Sequence, residues 1–412
     1  MKKYIFFVVG VMCTLLSHTA YAIDLNKSDA NIIGHVLEKK TGEHLPYMTV
    51  ALKGTTIGTM TDGTGHYFLK NLPEGEFILS VSAVGYKPQE RKVTLKRGKT
   101  LEENFELEED MVALDGVVVT ANRNETARRL APTLVKVVTP KLFDMTNSHT
   151  LSQGLVFQPG VRVENDCQNC GYSQVRINGM DGKYTQILID SRPIFSALAG
   201  VYGLEQIPAN MIERVEVVRG GGSALFGSSA IAGTVNIITK EPLRNSGSFA
   251  HSISNFDGSG SFDNNTTLNL SLVSSDNKMG AYIYGQNRHR SAWDSNGDSF
   301  SELPKLKNQT VGVNAYYRLS PYSKLNLEYH HMEEFRRGGN RFDLPPHIAE
   351  DANLNGSGEP GLVEQIEHSI NTGGLKFSAF SKDQKHAFNA YASAQHIVRD
   401  SYYLSLIHIS EP

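Results

Sequence analysis

Cysteine is scarce in this chain: its 412 residues hold three, and one, Cys13, sits in the leading apolar run. A four-ligand zinc site would need a second pair beside Cys167 and Cys170, and there is none. Charge of one sign is also missing. With 40 basic and 43 acidic residues the formal net charge is -3, so nothing points to nucleic acid or another polyanionic partner. Beyond residue 22 no apolar run reaches the roughly 20 residues of a spanning helix. Any membrane insertion would have to use alternating strands, which composition conceals.

What is present begins with an export signal. Met1-Lys2-Lys3 is a positive n-region, residues 5–16 are apolar, and Ala20-Tyr21-Ala22 is an A-x-A cleavage site. Residues 1–22 are therefore expected to be a signal peptide, with the mature chain starting at Ile23. Met12 before Cys13 is a poor fit to lipoprotein processing, so Cys13 is expected to leave with the signal.

Residues 31–108 read as short alternating strands, among them 47–52 and 77–81, separated by turn clusters at Thr41-Gly42, Thr61-Asp62-Gly63, Gly65 and Glu74-Gly75. With Gly85-Tyr86 they resemble the carboxypeptidase regulatory-like domain, an immunoglobulin-like sandwich. An H-x-x-E spacing at His330-His331-Met332-Glu333 invites a zinc-peptidase reading. Residues 325–330 alternate like a strand, however, and strand positions three apart face opposite ways, so the two cannot chelate together. Solvated strand-end side chains are expected there instead, and no metal site.

Residues 114–121 form a short β-branched run, Leu114-Asp115-Gly116-Val117-Val118-Val119-Thr120-Ala121, able to add to a partner's sheet edge. It resembles the TonB box, which implies Asp115, Val117, Val118, Val119, Thr120 and Ala121 as the TonB-binding residues; a last sandwich strand or a plug strand is the alternative. Residues 122–242 then carry Gln158-Pro159-Gly160-Val161, Val175-Arg176-Ile177-Asn178-Gly179, Ile187-Leu188-Ile189-Asp190, the run from Ile212 to Gly220, Ser223-Ala224-Leu225-Phe226-Gly227 and the run from Ala230 to Thr239. In that order they resemble the plug domain of TonB-dependent outer-membrane receptors. Asn178 stands where the family commonly has Arg, and Ser191 where Gly usually follows the Asp. Gly222 to Gly227 has phosphate-loop spacing, but Ser228 replaces the required Lys, so tight turning is the expected role.

The resemblance also implies ligand-contact residues on loops that rise toward the outside: Gln168, Asn169, Tyr172, Phe195, Ser196 and Tyr202. Tyr172, Phe195 and Tyr202 would offer apolar faces, and Gln168 and Asn169 hydrogen bonds; the alternative is that the aromatics wedge the plug against its barrel. Cys167 and Cys170, the only C-x-x-C, are expected to form a loop-pinning disulfide in an oxidising compartment, since no thioredoxin-like unit supports a redox role.

Residues 243–403 alternate in segments of about ten, as membrane strands do. Leu268, Leu270 and Leu272 share one face, as do Val311, Val313 and Ala315, Leu325, Leu327 and Tyr329, and Phe388, Ala390 and Ala392. Residues 288–308 and 336–361 read as polar extracellular loops. About seven strands are countable, where family receptors close with about 22 around the plug, so a C-terminal truncation is expected. Residues 404–412 resemble a translated sequencing adaptor, placing the end of native sequence near Tyr403.

The expected fold is thus mainly β: an immunoglobulin-like sandwich, an α/β plug and the first strands of an antiparallel transmembrane barrel. The implied function is TonB-dependent import of a scarce nutrient across the outer membrane, by a receptor that is not an enzyme and needs no cofactor. Cobalamin, haem and ferric siderophores are the ligand candidates; Leu198-Ala199-Gly200-Val201 is similar to the cobalamin receptors' plug. Implied partners are TonB with its inner-membrane energising complex, the small-molecule ligand and outer-membrane lipid, with a capping surface lipoprotein as a further candidate. A glycan-type importer is a rival, though Ala121-Asn122-Arg123 replaces the usual Gly-Tyr-Gly. An exported adhesion or scaffold protein is another, but would not account for the ordered plug motifs.

Overall fold

The computed structural model describes residues 30–83, 85–109, 118–119, 126–127, 135–167, 172–193, 207–222, 226–258, 260–382 and 386–403. The predicted signal and the final 404–412 segment lie outside them.

The N-terminal unit contains β1 (Ala30–Glu38), β2 (Thr49–Leu52), β3 (Gly58–Met60), β4 (His66–Leu72), β5 (Gly75–Ser82), β6 (Gln89–Leu95), β7 (Thr100–Glu102) and β8 (Phe105–Leu107). One sheet runs β4-β1-β7, with β8 also on β1, and the other β3-β2-β5-β6. Alternation decides which side chains meet between them: Ile32 and Val36, Phe77, Leu79 and Val81, and Phe105 and Leu107 are all buried in one cluster. The strand expected from residue 47 begins at Thr49, because Tyr47 adopts a φ of 63°, outside the β region.

Two residues on each side then pair antiparallel, β9 (Val118–Val119) with β10 (Thr126–Ala127).

The plug comprises β11 (Val135–Val138), α1 (Pro140–Met145), α2 (Leu151–Leu155), β12 (Val161–Cys167), β13 (Tyr172–Ile177), β14 (Thr185–Ile189), β15 (Arg192–Pro193), β16 (Ile212–Arg219) and β17 (Gly233–Thr239). Its sheet order is β11-β16-β17-β14-β15, with β14 and β17 parallel, while β12 and β13 form a separate hairpin. Val215, Val217, Val218, Val235 and Ile237 are all buried. Such near-continuous apolar runs mark strands covered on both faces. Gly220, with φ 102°, turns the chain out of β16 in a conformation that only glycine adopts freely.

Seven strands follow in a simple antiparallel meander: β18 (Ser246–Asn255), β19 (Phe262–Val273), β20 (Met279–Arg290), β21 (Lys305–Ser320), β22 (Ser323–Gly339), β23 (Val363–Phe380) and β24 (Ala387–Tyr403). Burial in this sheet is inverted relative to a soluble protein. Leu268, Leu270, Leu272, Val311, Leu319, Leu327, Leu375 and Phe388 are exposed, whereas Asn265, Gln286, Arg288, Asn308, Thr310, Asn314 and Arg336 are buried. An apolar outer face and a polar inner one are what a strand needs when lipid lies outside and a polar lumen inside. Edge strands β18 and β24 do not pair with each other. No helix among the described residues is long and apolar enough to cross a membrane, which does not bear on a crossing by strands.

The long connections are shorter than expected. Strand β20 runs to Arg290 and β21 starts at Lys305, while β22 runs to Gly339 and β23 starts at Val363. Polar residues on both faces mimic a loop in sequence, yet here the ladder continues through Arg288↔Asn308 and Arg336↔Ile366.

The N-terminal unit touches the short-turn end of this wall. Arg318 Nε donates to Thr56 O at 2.8 Å, Thr56 N donates to Pro321 O at 2.8 Å, and the Arg244 guanidinium lies 4.3 Å from the centre of the Tyr47 ring.

Candidate functional site at the plug and barrel wall

The plug meets the inner face of the wall through side chains supplied by strand ends. Residues Asp190 and Ser191, with φ of 46° and 66°, turn β14 into β15 and so aim Arg192 outward at the wall. Serine in this conformation is strained relative to glycine, but Ser191 N donates to Asn236 Oδ1 at 2.9 Å and Asn236 Nδ2 to Ser191 Oγ at 3.3 Å. That local bonding accounts for the departure from the usual glycine. At the other departure, Asn178 has φ 54°, which Asn tolerates better than the Arg usual there.

Arg192 forms a largely buried ion pair with Glu328 of β22. The pair lies over Gly374 of β23, directly opposite Glu328; a Cβ on Gly374 would run into both the Arg192 guanidinium and the Glu328 carboxylate. A relay lies beside it: Asn314 Nδ2 donates to Thr239 Oγ1 at 2.9 Å, and that hydroxyl donates to Asp190 Oδ2 at 2.7 Å. Further along, Asn210 Nδ2 donates to Asn269 Oδ1 at 2.9 Å and to Gly285 O at 3.1 Å, while Tyr282 OH donates to Asn210 O at 2.9 Å. Gln286 Nε2 donates to His149 O at 3.3 Å, and the His149 ring reaches Ser252 Oγ at 3.2 Å. Burial, with a lesser push from Arg288, lowers the His149 pKa below its ordinary value, so the ring is held neutral at this junction. Burial likewise lowers the pKa of Lys240.

Tyr282 and Tyr284 supply the apolar part of this contact, packing into the plug core. Tyr284 lies across Gly312, where a Cβ would collide with its ring, and so reaches His330 Nδ1 at 3.0 Å. This corrects the expectation for the H-x-x-E spacing. His330 is mid-strand and tied to Tyr284 rather than solvated at a strand end, because β22 continues to Gly339. The geometric argument holds: Glu333 is on the opposite side, 3.6 Å from His331. Elsewhere among the described residues, the carboxylates of Asp294, Asp298 and Glu302 approach one another within 4.8 Å. Backbone N–H groups of Gly297, Ser299, Phe300 and Ser295 already occupy them.

Chemically this contact is mostly polar. Each neutral hydrogen bond contributes only about 0.5–1.5 kcal/mol net, since water can replace either partner. Such an interface holds the plug in register, with Tyr282 and Tyr284 as its apolar anchor. A cavity lined by Ile189, Met211, Lys240, Tyr284, Glu328 and Gln395 remains between plug and wall.

Several predicted site residues fall elsewhere. Gln168, Asn169, Cys170, Phe195, Ser196 and Tyr202 lie outside the described residues, as do Asp115, Val117, Thr120 and Ala121. Cys167 and Tyr172 pair across the end of the β12–β13 hairpin. Val118 and Val119 are in the short ladder β9–β10. The plug–wall residues Arg192, Glu328, Asn210 and Asn314 were missed by sequence reasoning. Their only sequence signal is position, at hairpin turns of the plug and at inward-facing sites of wall strands.

Comparison with known families agrees with this anatomy. Residues 32–119 match the CarboxypepD_reg-like domain, and residues 127–234 match the TonB-dependent Receptor Plug Domain. The chain thus carries a plug domain of the TonB-dependent receptor type behind a CarboxypepD_reg-like domain. Among similar curated proteins, the vitamin B12 transporter BtuB of Vibrio vulnificus (strain YJ016) is 32% identical over 229 residues, covering 48% of this chain and 37% of that protein. BtuB of Photobacterium profundum is 37% identical over 128 residues, 30% of this chain and 20% of that one. The chain thus spans well under two thirds of the length of these relatives. The siderophore receptor PirA from Acinetobacter baumannii shares the fold, with a TM-score of 0.55 at 20% identity over 70% of this chain and 42% of that one. The unliganded ferric citrate transporter FecA does so with a TM-score of 0.56 at 16% identity, over 70% and 44%. These relatives are transporters and receptors, not enzymes.

Proposed function

We propose that this receptor imports a scarce small molecule across the outer membrane, and that the molecule is a corrinoid of the cobalamin type. The observation that carries the uptake reading is the plug seated on a lipid-type barrel wall by a network of polar contacts, Arg192–Glu328 foremost. A plug serving only to seal a pore would gain more from an apolar seat. The corrinoid reading is supported by the BtuB alignment, whose 229 residues extend well beyond the 127–234 plug match.

In this account the signal peptide exports the chain, and the outward apolar band meets outer-membrane lipid. Ligand is held by the loops around Gln168, Asn169, Tyr172, Phe195, Ser196 and Tyr202, the first of them pinned by a Cys167–Cys170 disulfide. Binding biases residues 115–121 toward the periplasm, where TonB adds them to its sheet edge. TonB then pulls, using the inner membrane's proton gradient.

Equilibrium binding to the complete receptor with cyanocobalamin, haem and a ferric siderophore tests the ligand. The expected outcome is saturable cobalamin binding that excess haem and siderophore do not displace. Saturable binding of haem or siderophore with none of cobalamin would overturn the corrinoid assignment and leave the receptor class in place.

A further inference from the structure

Three imidazoles from separate segments of the N-terminal unit meet on its surface: His35 in β1, His66 at the start of β4, and His44 in the connection between β1 and β2. Backbone bonding fixes their bases. His35 and His66 are direct antiparallel partners, Leu37 bridges His44, and Leu45 N and Val36 N donate to Val36 O and Gly65 O at 2.8 and 2.9 Å. The ring centroids are 5.3 Å (His35–His44), 5.8 Å (His35–His66) and 4.9 Å (His44–His66) apart. Three imidazoles bound to one tetrahedral ion at about 2.0–2.1 Å per nitrogen would have centroids about 5 Å apart.

A second observation concerns the proton on His66. Thr64 Oγ1 donates to Asp62 Oδ1 at 2.7 Å, so the contact of 3.1 Å between Thr64 Oγ1 and His66 Nδ1 is filled by the ring's own N–H. Nε2 then carries the ring's lone pair. Asp62 is itself held by Thr64 N and His66 N, at 2.8 and 3.0 Å. A carboxylate or hydroxyl on the far nitrogen of a histidine is the outer shell that orients metal-binding imidazoles.

We propose that His35, His44 and His66 form a three-histidine site for a divalent cation of the zinc type, with the fourth position open to water. The imidazole set selects borderline cations over calcium or magnesium, which take oxygen ligands. As the rings stand, their nitrogens do not all lie within 4.8 Å, so closure on the ion requires side-chain rotation. His44 is exposed and turns without disturbing the core or the Thr64–His66 contact. Packing alone gives little reason for the arrangement, since an aromatic pair is worth only about 0.5–1.5 kcal/mol.

The full chain, purified in detergent and stripped with a chelator, would be titrated with zinc against a chromophoric competitor in excess calcium, which occupies carboxylate sites such as Asp294, Asp298 and Glu302. One tight equivalent is expected. Thr64→Val, which removes only the outer-shell hydroxyl, should weaken zinc about 10- to 100-fold; His35→Ala, His44→Ala and His66→Ala should each weaken it more. His251→Ala, outside the cluster, serves as control. Cobalt in place of zinc should give the intense visible bands of tetrahedral coordination, lost in the same variants. Absence of a tight equivalent in the unaltered chain, or affinity unchanged in all three histidine variants, overturns the proposal and leaves the uptake reading untouched.

Discussion

Glu328→Gln leaves the Arg192 guanidinium facing a neutral amide in a site where it is only 9% exposed and its partner 21%. Arg192 Nε already has no hydrogen-bond partner among the described residues, so no spare acceptor compensates the loss. Breaking a buried pair by removing one member typically costs about 3–5 kcal/mol. Glu328 keeps some access to water, which places the expected cost near the lower end, about 3 kcal/mol, or roughly a hundredfold in local opening. Arg192→Met should cost a similar amount by stranding the carboxylate. The double variant should be less destabilised than either single one, because replacing both charges removes the desolvation penalty as well. Hydrogen exchange of β14 and β17 in detergent-solubilised receptor reports that local opening directly. Unchanged exchange in Glu328→Gln, or a double variant equal to the sum of the singles, would refute the idea that this pair fastens plug to wall.

Other consequences follow from the same contacts. The lowered pKa of His149 means that the unfolded chain binds more protons between that value and about 6.5. The plug contact is therefore fully stable above pH 6.5 and loosens as pH falls through this window; His149→Gln should flatten that dependence in exchange measurements at Ser252. Gly312→Ala places a methyl in the Tyr284 ring and should cost about 1–3 kcal/mol by overpacking, read as a lower thermal midpoint. Gly285→Ala, where the nearest atom to an added Cβ is 3.8 Å away, should leave that midpoint in place. Cys167 and Cys170 are expected to resist maleimide until a reductant is added; labelling of both without reductant would refute the disulfide.

The parts of this fold that were legible in sequence are those where one strong gradient sorts the residues. Alternation at Leu268, Leu270 and Leu272 identifies a wall strand because lipid and lumen demand opposite chemistry. The apolar runs of β16 and β17 identify buried plug strands for the complementary reason. Where no gradient acts, the reading failed: Arg288, Lys305 and Lys307 lie in strands whose two faces are both polar there, and so passed for loops. His330 was read as solvated because nothing local announces that Gly312, paired opposite it, leaves room for a tyrosine ring. The Arg192–Glu328 pair and the His35, His44, His66 cluster are joined only by register between distant segments. No spacing rule could have found either.

If residues 115–121 couple an outer-membrane plug to TonB, binding and transport are separable. Deleting Asp115 to Ala121 in the complete receptor, and measuring both ligand binding to cells and accumulation inside them, tests this most directly. The expected result is binding retained at unchanged affinity with accumulation abolished. Accumulation equal to that of the intact receptor would contradict it.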